Sequence, residues 1–376
     1  MSVPGALAGV WRGLTWDHPR GYNALAAAAQ AEGLPLVWDK HSLEAFESHP
    51  IGDLCARYDL VVLDHPHVGE AVATDCLVPL EDLFGADEIA TWRGAVAGPS
   101  LASYHYAGKH WALPLDAATQ VMAYCRETVA LPPLEWAQLP AFAAQHAVAL
   151  SLAGPHAVLS FQSVCGAPAF EATPPRDAFM DRVIAREAYG LMAALTGDVT
   201  RRARDLNPIA MLGAIERGEG IDLCPLIYGY VNYATRGVGF ADAPQGPGGR
   251  IGSTLGGTGI GISKRCQVTV ELLDHLRWLM SEPVQGRVIP QHDGQPALRS
   301  AWQDGAVNRA TGGFFAATLA TVEMALLRPR HDGAIAFQSA ASTQLRAALL
   351  DGAAAEPVLD EIESLYRTHH PAGAET

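Results

Sequence analysis

Tyr58–Gly69 reads YDLVVLDHPHVG, and this stretch decides the predicted fold. Its Leu60–Leu63 run of branched apolar residues is typical of a strand that is buried on both faces of a parallel sheet. The run ends in Asp64, His65 and His67, and buried ionisable groups are costly unless they are solvated or paired. In open α/β sheets, the carboxyl ends of the strands form the edge at which ligands bind. The stretch therefore predicts a buried strand that places ionisable residues at the ligand-binding edge of the sheet.

The two segments before it repeat this pattern. Gly13–Trp16 and Pro35–Trp38 are apolar, and a helical pattern separates each predicted strand from the next. Polar side chains follow both runs directly, namely Asp17, His18 and Arg20 after the first and Asp39, Lys40 and His41 after the second. The order β-α-β-α-β predicts a parallel sheet, so we expect these side chains to meet at one edge.

Composition limits the classes of protein and partner. A chain of 376 residues with 49% hydrophobic residues suggests two domains with full cores. The formal net charge of −14 argues against nucleic acid or an anionic membrane as the main partner. No uncharged stretch reaches the roughly 18 residues that span a bilayer, so we expect no membrane insertion. The sequence as it stands has no secretory leader, which predicts a cytoplasmic location, or a periplasmic one if a leader was removed.

Motifs for metals and cofactors are missing, and we expect neither. The six cysteines include no CxxC pair, which disfavours a zinc ribbon and predicts free thiols without a disulfide. No GxxxxGK[ST] and no GxSxG motif occurs, which excludes a P-loop and removes the signal for a nucleophile elbow. The spacing of His65 and His67 is by itself a weak metal signal. Gly256, Gly257 and Gly259 fit either a phosphate-binding nest or close packing at a hinge.

Several stretches, taken in order, resemble the cluster-B, family 1 solute-binding proteins of ABC importers. They are YDLVVLD followed by LVPLEDL, then YAGKHWALPLDAATQVMAYC, GGTGIGIS, TVELLDHLRWLMSEPVQ, GQPALRSAW and a final helix ending in LYR. The resemblance implies an α/β, two-domain periplasmic-binding-protein-like fold of type II. It also implies a ligand cleft between domains that are joined by hinge segments. A small-molecule ligand is the implied partner, with an ABC permease if the chain is exported.

The same resemblance implies the division of the chain. Residues 1–115 and 256–305 are expected to form the first α/β lobe, and residues 116–255 and 306–376 the second. The predicted crossings between the lobes are Leu113–Ala117, Ser253–Thr258 and Arg299–Ala310.

The candidate ligand-binding residues come from strand ends and from these crossings. Arg20 lies beside a predicted helix N-terminus, where a guanidinium can bind a carboxylate or phosphate. Tyr228 and Tyr230 directly follow a predicted strand and either line the cleft as stacking surfaces or belong to the core. The full predicted set is Trp16, Asp17, His18, Arg20, Asp39, Lys40, Asp64, His65, His67, Asp116, Tyr228, Tyr230, Thr258 and Arg299.

Two functions stay open at this point. The first is a binding protein that closes on a small polar ligand, either sugar-like or bearing a carboxylate. The second is a cytoplasmic enzyme on the same scaffold, a lyase, dehydratase or isomerase, since histidine titrates near neutral pH. Its proton-transfer residues would be His18, His65, His67 and Asp64. A satisfied hydrogen-bond network is the structural alternative for the last three, and the fold alone does not decide between these readings.

Overall fold

The computed structural model describes residues 10–166 and 178–370. The strands are β1 (Trp11–Trp16), β2 (Leu36–His41), β3 (Leu60–Leu63), β4 (Leu77–Val78), β5 (His105–Tyr106), β6 (Lys109–His110), β7 (Leu113–Cys125), β8 (Leu223–Tyr228), β9 (Val238–Ala241) and β10 (Leu255–Ser263). The two ends of the predicted lobes, at 1–9 and 371–376, lie outside the described residues.

Helices alternate with these strands along the chain. They are α1 (Pro19–Ala31), α2 (Leu43–Ser48), α3 (Ile51–Cys55), α4 (Val68–Ala73), α5 (Ala86–Ala95), α6 (Leu139–Ala143), α7 (His156–Gly166), α8 (Arg182–Leu195), α9 (Asp198–Ala203), α10 (Pro208–Glu216), α11 (Val270–Leu279), α12 (Ile289–Gln291), α13 (Arg299–Gln303), α14 (Gly305–Ala310), α15 (Phe314–Glu323), α16 (Ala334–Asp351) and α17 (Ala355–His369). None of the described helices combines the length and the apolar character needed to cross a membrane.

The parallel sheet predicted from the first 70 residues is present. β1 pairs in parallel with both β2 and β3, and all four residues of β3 are buried. α1 follows β1 directly, because Pro19 suits the first helical turn and the His18 side chain caps it by accepting the Arg20 backbone N–H. Gly33 follows the end of α1 with φ of +61°, a conformation that glycine adopts without strain.

The boundary of β2 differs from the prediction. The strand does not end at Trp38 but continues through Asp39 and Lys40 to His41, paired with β1 to its last residue. Asp39 forms an ion pair with Arg12 of β1, and Lys40 pairs with Asp17 at 2.7 Å. Asp39 thus has its partner on β1 and Lys40 on the residue that directly follows β1, and the sheet continues through both of them.

Two long antiparallel strands connect the two halves of the molecule. β10 pairs with β3 on one side and with β7 on the other, and the far half of β7 pairs with β8 and β9. The β7–β10 register shifts between Thr258 and Gly259. Gly257 has φ of +85°, and a Cβ there would overlap the Asp116 carbonyl oxygen. The glycines of this segment thus allow close packing where the chain crosses between the halves.

Apolar cores lie on both sides of these crossing strands. Two buried clusters consist of residues from the ranges 11–115 and 260–298. Two others consist of residues from the ranges 117–255 and 302–366, together with residue 97. Separate cores are what two lobes require, and the division of the chain between the lobes stays a prediction. β5 and β6 form an antiparallel hairpin, and all six cysteines are free thiols, as expected.

His275 of α11 makes the first lobe sensitive to acid. Its side chain is 2% exposed, and neither ring nitrogen has a hydrogen-bond partner among the described residues. Burial lowers the pKa of His275 to about 4. The pKa of a histidine in the unfolded chain is about 6.5. Between about pH 4 and pH 6.5, His275 is therefore protonated in the unfolded chain and neutral in the folded chain. The stability contributed by the neutral ring is complete above about pH 6.5 and is lost as the pH falls towards 4.

We expect His275→Leu to remove this acid sensitivity. The drop in unfolding free energy between neutral pH and pH 4 should be about 3 kcal/mol smaller in the variant than in the wild type, as the size of the pKa shift implies. Urea unfolding at both pH values measures it, and His292→Gln, at an exposed histidine, serves as the control. Parallel pH profiles for His275→Leu and the wild type would contradict this role of His275.

Candidate functional site

A cleft opens at the carboxyl ends of β1 and β3, between the first half of the chain and the elements that face it. Its empty volume, counted to the open mouth, is about 590 Å³. One wall consists of Trp16, Arg20, Leu43, Phe46, Glu47 and Asp64. The opposite wall consists of Pro155, His156, Leu159, Pro208, Tyr228, Tyr230, Arg328 and Gln338, and the floor of Ala118, Gly256, Gly257 and Thr258.

Arg328 and Asp64 form an ion pair across the base of the cleft. Their side chains are 3% and 16% exposed, and Arg328 Nη2 donates to Asp64 Oδ1. Arg328 Nε also donates to the Leu255 carbonyl at 3.0 Å, and Nη1 to Gln338 at 3.4 Å. Burial opposes both charges, but the attraction between them outweighs it, so the pKa of Asp64 is held well below its usual range and the pKa of Arg328 is raised. The two charges therefore neutralise each other.

Arg20 and Asp116 form a second buried pair. Arg20 Nε donates to Asp116 Oδ2 at 2.7 Å, and Nη1 donates to the Gly229 carbonyl at 3.1 Å. The guanidinium carbon lies 4.8 Å from the centre of the Tyr230 ring and 5.9 Å from that of Trp16. Arg20 is therefore neutralised by its own carboxylate and held between two aromatic rings, a favourable arrangement for a cation.

His65 lies behind the first pair and not in the cleft. It is fully buried, and its Nε2 accepts the backbone N–H of Arg328 at 3.3 Å while Nδ1 lies 3.3 Å from Asp64 Oδ1. Burial, and then the charge of Arg328, lower the pKa of His65 to about 4. At neutral pH the ring is uncharged, and this network assigns the proton to Nδ1. His67 is also buried, with Nδ1 3.8 Å from Glu70 Oε2.

Glu47 and His156 meet across the mouth of the cleft. His156 is buried as the first residue of α7, and its Nε2 lies 3.4 Å from Glu47 Oε1 of α2. Its Nδ1 has no hydrogen-bond partner within the described ranges, and its ring packs edge-on to Tyr228 at 5.8 Å. The contact joins one wall of the cleft to the other and leaves Nδ1 to accept a hydrogen bond.

The structure brings only part of the predicted set together. Asp116 lies directly behind the cleft through its bond to Arg20, and His18 packs at 4.8 Å against the ring of Tyr230 instead of facing the cavity. Burial, followed by the charge of Arg20, lowers the pKa of His18 to about 4. Those predicted residues that line the cleft are Trp16, Arg20, Asp64, Tyr228, Tyr230 and Thr258.

The remaining predicted residues lie away from the cavity. Asp17, Lys40 and Asp39 are occupied by ion pairs along β1 and β2, for the reason given for the strand boundary. Arg299 binds Glu323 of α15 at 2.6 Å and the Gly94 carbonyl at 3.0 Å. His65 and His67 are buried behind the cleft, because the chain turns from β3 into a tight helical turn that places both rings inside.

Sequence reasoning missed several lining residues. Arg328 lies in a segment that looks like the end of a helix, and only the spacing RPR at 328–330 marks it as basic and non-helical. Glu47 and Phe46 lie on α2, and Gln338 lies on α16, so each belongs to a helix that shows no local signal of a site. Within residues 10–166 and 178–370, no group of three or more His, Cys, Asp or Glu side chains is placed to hold a metal ion.

Comparison with known proteins identifies the fold. No family model matches the sequence, and no curated protein matches it. The solved structure of maltose-bound MalE3 from T. maritima is similar, with a TM-score of 0.77 over 94% of this chain and 98% of that chain, at 18% sequence identity. Identity this low supports a conclusion about the fold alone. The chain has the two-lobe α/β fold of periplasmic binding proteins, as the sequence predicts, with its cleft between the lobes.

Proposed function

We propose that this chain is a solute-binding protein that holds a small, neutral, polyhydroxylated ligand of the sugar class in the cleft. The observation that carries the proposal is that the charges of the two arginines in the cleft wall are neutralised within the protein. Arg20 and Arg328 are each already neutralised by a carboxylate of the chain itself.

The charge balance separates the two kinds of ligand that the sequence left open. Asp116 balances Arg20 and Asp64 balances Arg328, so Glu47 adds a negative charge to the wall. A carboxylate-bearing ligand would have to displace one of these carboxylates and leave it buried without a partner, which is costly. A neutral sugar needs no such exchange. The balance therefore favours a sugar-like ligand over an acid.

Aromatic rings and hydrogen-bonding groups suit the two faces of a sugar. Trp16, Tyr228 and Tyr230 supply apolar surface beside the polar groups of Glu47 and His156. Sites for small polar molecules commonly combine aromatic walls with a few well-placed polar groups. The similar MalE3 structure holds maltose, which supports the same class of ligand here.

The enzymatic alternative is not favoured, because the three histidines among its acid–base candidates do not line the cleft, and Asp64, which does, is paired with Arg328. His65 and His67 are buried behind the cleft, and His18 is directed at the Tyr230 ring. A general acid or base must come within hydrogen-bond reach of the substrate.

Membership of the cluster-B, family 1 group, and an ABC permease as partner, belong to the same proposal. They are supported by the order of the sequence motifs together with the likeness in fold. The cellular location stays a prediction of the sequence.

Calorimetric titration with glucose, maltose and maltotriose, and with maltobionate as the carboxylate analogue of maltose, tests the proposal. We expect at least one neutral sugar to bind and to raise the melting temperature, because a ligand that binds only the folded chain stabilises it. Maltobionate should bind more weakly than maltose. Failure of all neutral sugars, or preference for the acid, would refute the proposed ligand class.

Glu47→Gln is expected to weaken the binding of the neutral sugar by about 10–100-fold, as the loss of a hydrogen bond to a charged acceptor implies. Glu44→Gln is the matched control, because Glu44 lies on the same helix but does not line the cleft. Titration calorimetry of both variants measures the difference. If the two variants bind the sugar with equal affinity, Glu47 does not contact the ligand.

A further inference from the structure

A second pocket lies outside the cleft, between the β5–β6 hairpin and the segment that joins α15 to α16. Its empty volume, counted to the open mouth, is about 740 Å³, and it is lined by Arg93, Ala102, His105, His110, Leu327 and Arg330. None of these residues lines the cleft. The pocket is therefore a separate site with its own chemistry.

The lining is basic in a protein that is acidic overall. Two arginines and two histidines are among the residues that line this space, and no Asp or Glu is among them. The chain as a whole carries a formal charge of −14. A pocket with this lining attracts anions locally.

Arg93 is held in place by a chain of hydrogen bonds. Glu81 Oε1 lies 2.7 Å from His110 Nδ1, and both Glu81 oxygens accept the backbone N–H of His110, at 3.1 and 3.0 Å. This arrangement places the ring proton on Nδ1, so Nε2 accepts from Arg93 Nη2 at 3.3 Å. Burial lowers the pKa of His110, which keeps the ring neutral and able to accept. The other N–H groups of Arg93 have no acceptor among the described residues.

Arg330 is fixed on the opposite wall. Its Nη1 donates to the carbonyls of Ala102 and His105, at 3.0 and 3.1 Å. The ring of His105 is exposed and lies 4.7 Å from that of His110, measured between centroids. The pocket thus combines two positioned guanidinium groups with an accessible imidazole.

We propose that this pocket binds a phosphate-type oxyanion, either free or as the terminal group of a small phosphate ester. The planar guanidinium donates two parallel N–H bonds to such a group, and arginine is the preferred residue for this recognition. The volume exceeds that of the ion alone, so the remainder of a small ester fits beside it.

Equilibrium binding of inorganic phosphate and of glycerol 3-phosphate to the full chain tests the proposal. Ionic strength is held constant, because salt screens charge interactions. We expect Arg93→Gln to weaken binding of the probes by about 10–100-fold, as the loss of charge-assisted hydrogen bonds implies. Arg202→Gln, which removes an exposed arginine of α9, should leave binding unchanged. Tighter binding of the ester would support a small phosphorylated molecule, and equal affinity would support the free ion.

Three outcomes would overturn the proposal. The first outcome is that neither probe binds the wild-type chain at millimolar concentration. The second is that the Arg93→Gln variant binds both probes as tightly as the wild type does. The third outcome is competition between phosphate and a bound sugar, which would place the anion in the cleft. Arg93→Lys provides a further measurement, since it keeps the charge but removes the planar fork and should give intermediate affinity.

Discussion

Replacing Arg328 with Met is expected to lower the free energy of unfolding by about 3–5 kcal/mol, the cost of removing one partner from a buried ion pair. The variant leaves Asp64 charged at the base of the cleft, where its side chain is only 16% exposed. It also removes the donors to Leu255 and Gln338. Met fills a similar volume, so the expected loss comes from charge and hydrogen bonding and not from a cavity.

Urea unfolding at neutral pH measures this loss, with Arg299→Met as the matched control. Arg299 also pairs with a carboxylate, but its side chain and that of Glu323 are 34% and 32% exposed, so the control should lose no more than about 1 kcal/mol. Equal losses in the two variants would contradict the structural role of the Arg328–Asp64 pair.

The pH dependence of the same variant gives a second measurement. In the wild type, Arg328 and His65 outweigh burial and hold the pKa of Asp64 well below its usual range. The pair therefore contributes stability above the unfolded aspartate pKa of about 3.9, and this contribution is lost as the pH falls further. Without Arg328, burial instead favours the protonated acid. The difference between variant and wild type should thus be largest at neutral pH and shrink in acid.

Gly257→Ala is expected to cost about 2–5 kcal/mol, the sum of backbone strain and steric overlap. Gly257 has φ of +85°, and an added Cβ would overlap the Asp116 carbonyl oxygen and lie 3.1 Å from the Ala117 Cα. Both neighbours are backbone atoms of β7, so neither can rotate away. The strain falls where β7 and β10 cross between the lobes, and the backbone there must shift to relieve it.

Gly218→Ala separates the two causes. Gly218 has φ of +65° but no heavy atom within 4 Å of an added Cβ, so only the strain of about 1–2 kcal/mol applies. Thermal and urea unfolding of both variants measure the difference. If they lose the same free energy, the close approach of β10 to β7 has no energetic role. Because Gly257 also lines the cleft, sugar affinity should fall in its variant only.

Local patterns in the sequence were sufficient for the buried strands and for some of the residues at their ends. The Leu60–Leu63 run is buried on both faces as predicted, and Tyr228 and Tyr230 line the cleft because they leave the end of β8 at the edge of the sheet. Arg20 reaches the cleft because α1 begins next to the end of β1. Each of these placements depends on neighbours within a few residues.

The direction in which a side chain points after the end of a strand could not be predicted from the sequence in the same way. His65 and His67 stand in the same tetrapeptide as Asp64, yet only Asp64 faces the cleft. The helical turn after β3 directs the two rings inward, where Tyr104 and the backbone of Arg328 meet His65. A polar residue past a strand end can point to solvent, ligand or core, and the elements packed against it decide which.

The sequence by itself determined the alternation of strands and helices and the parallel pairing of β1, β2 and β3, because periodicity and turn chemistry act over short distances. The two-lobe fold was implied by the family resemblance. Only the tertiary structure decided which charges meet. Arg328 lies 264 residues from Asp64, and Arg20 lies 96 residues from Asp116. A third arginine, Arg299 of the predicted site, pairs with Glu323 away from the cleft. Whether an arginine reaches a ligand or a carboxylate depends on how the lobes pack, and that packing made the cleft a site for neutral molecules in our proposal.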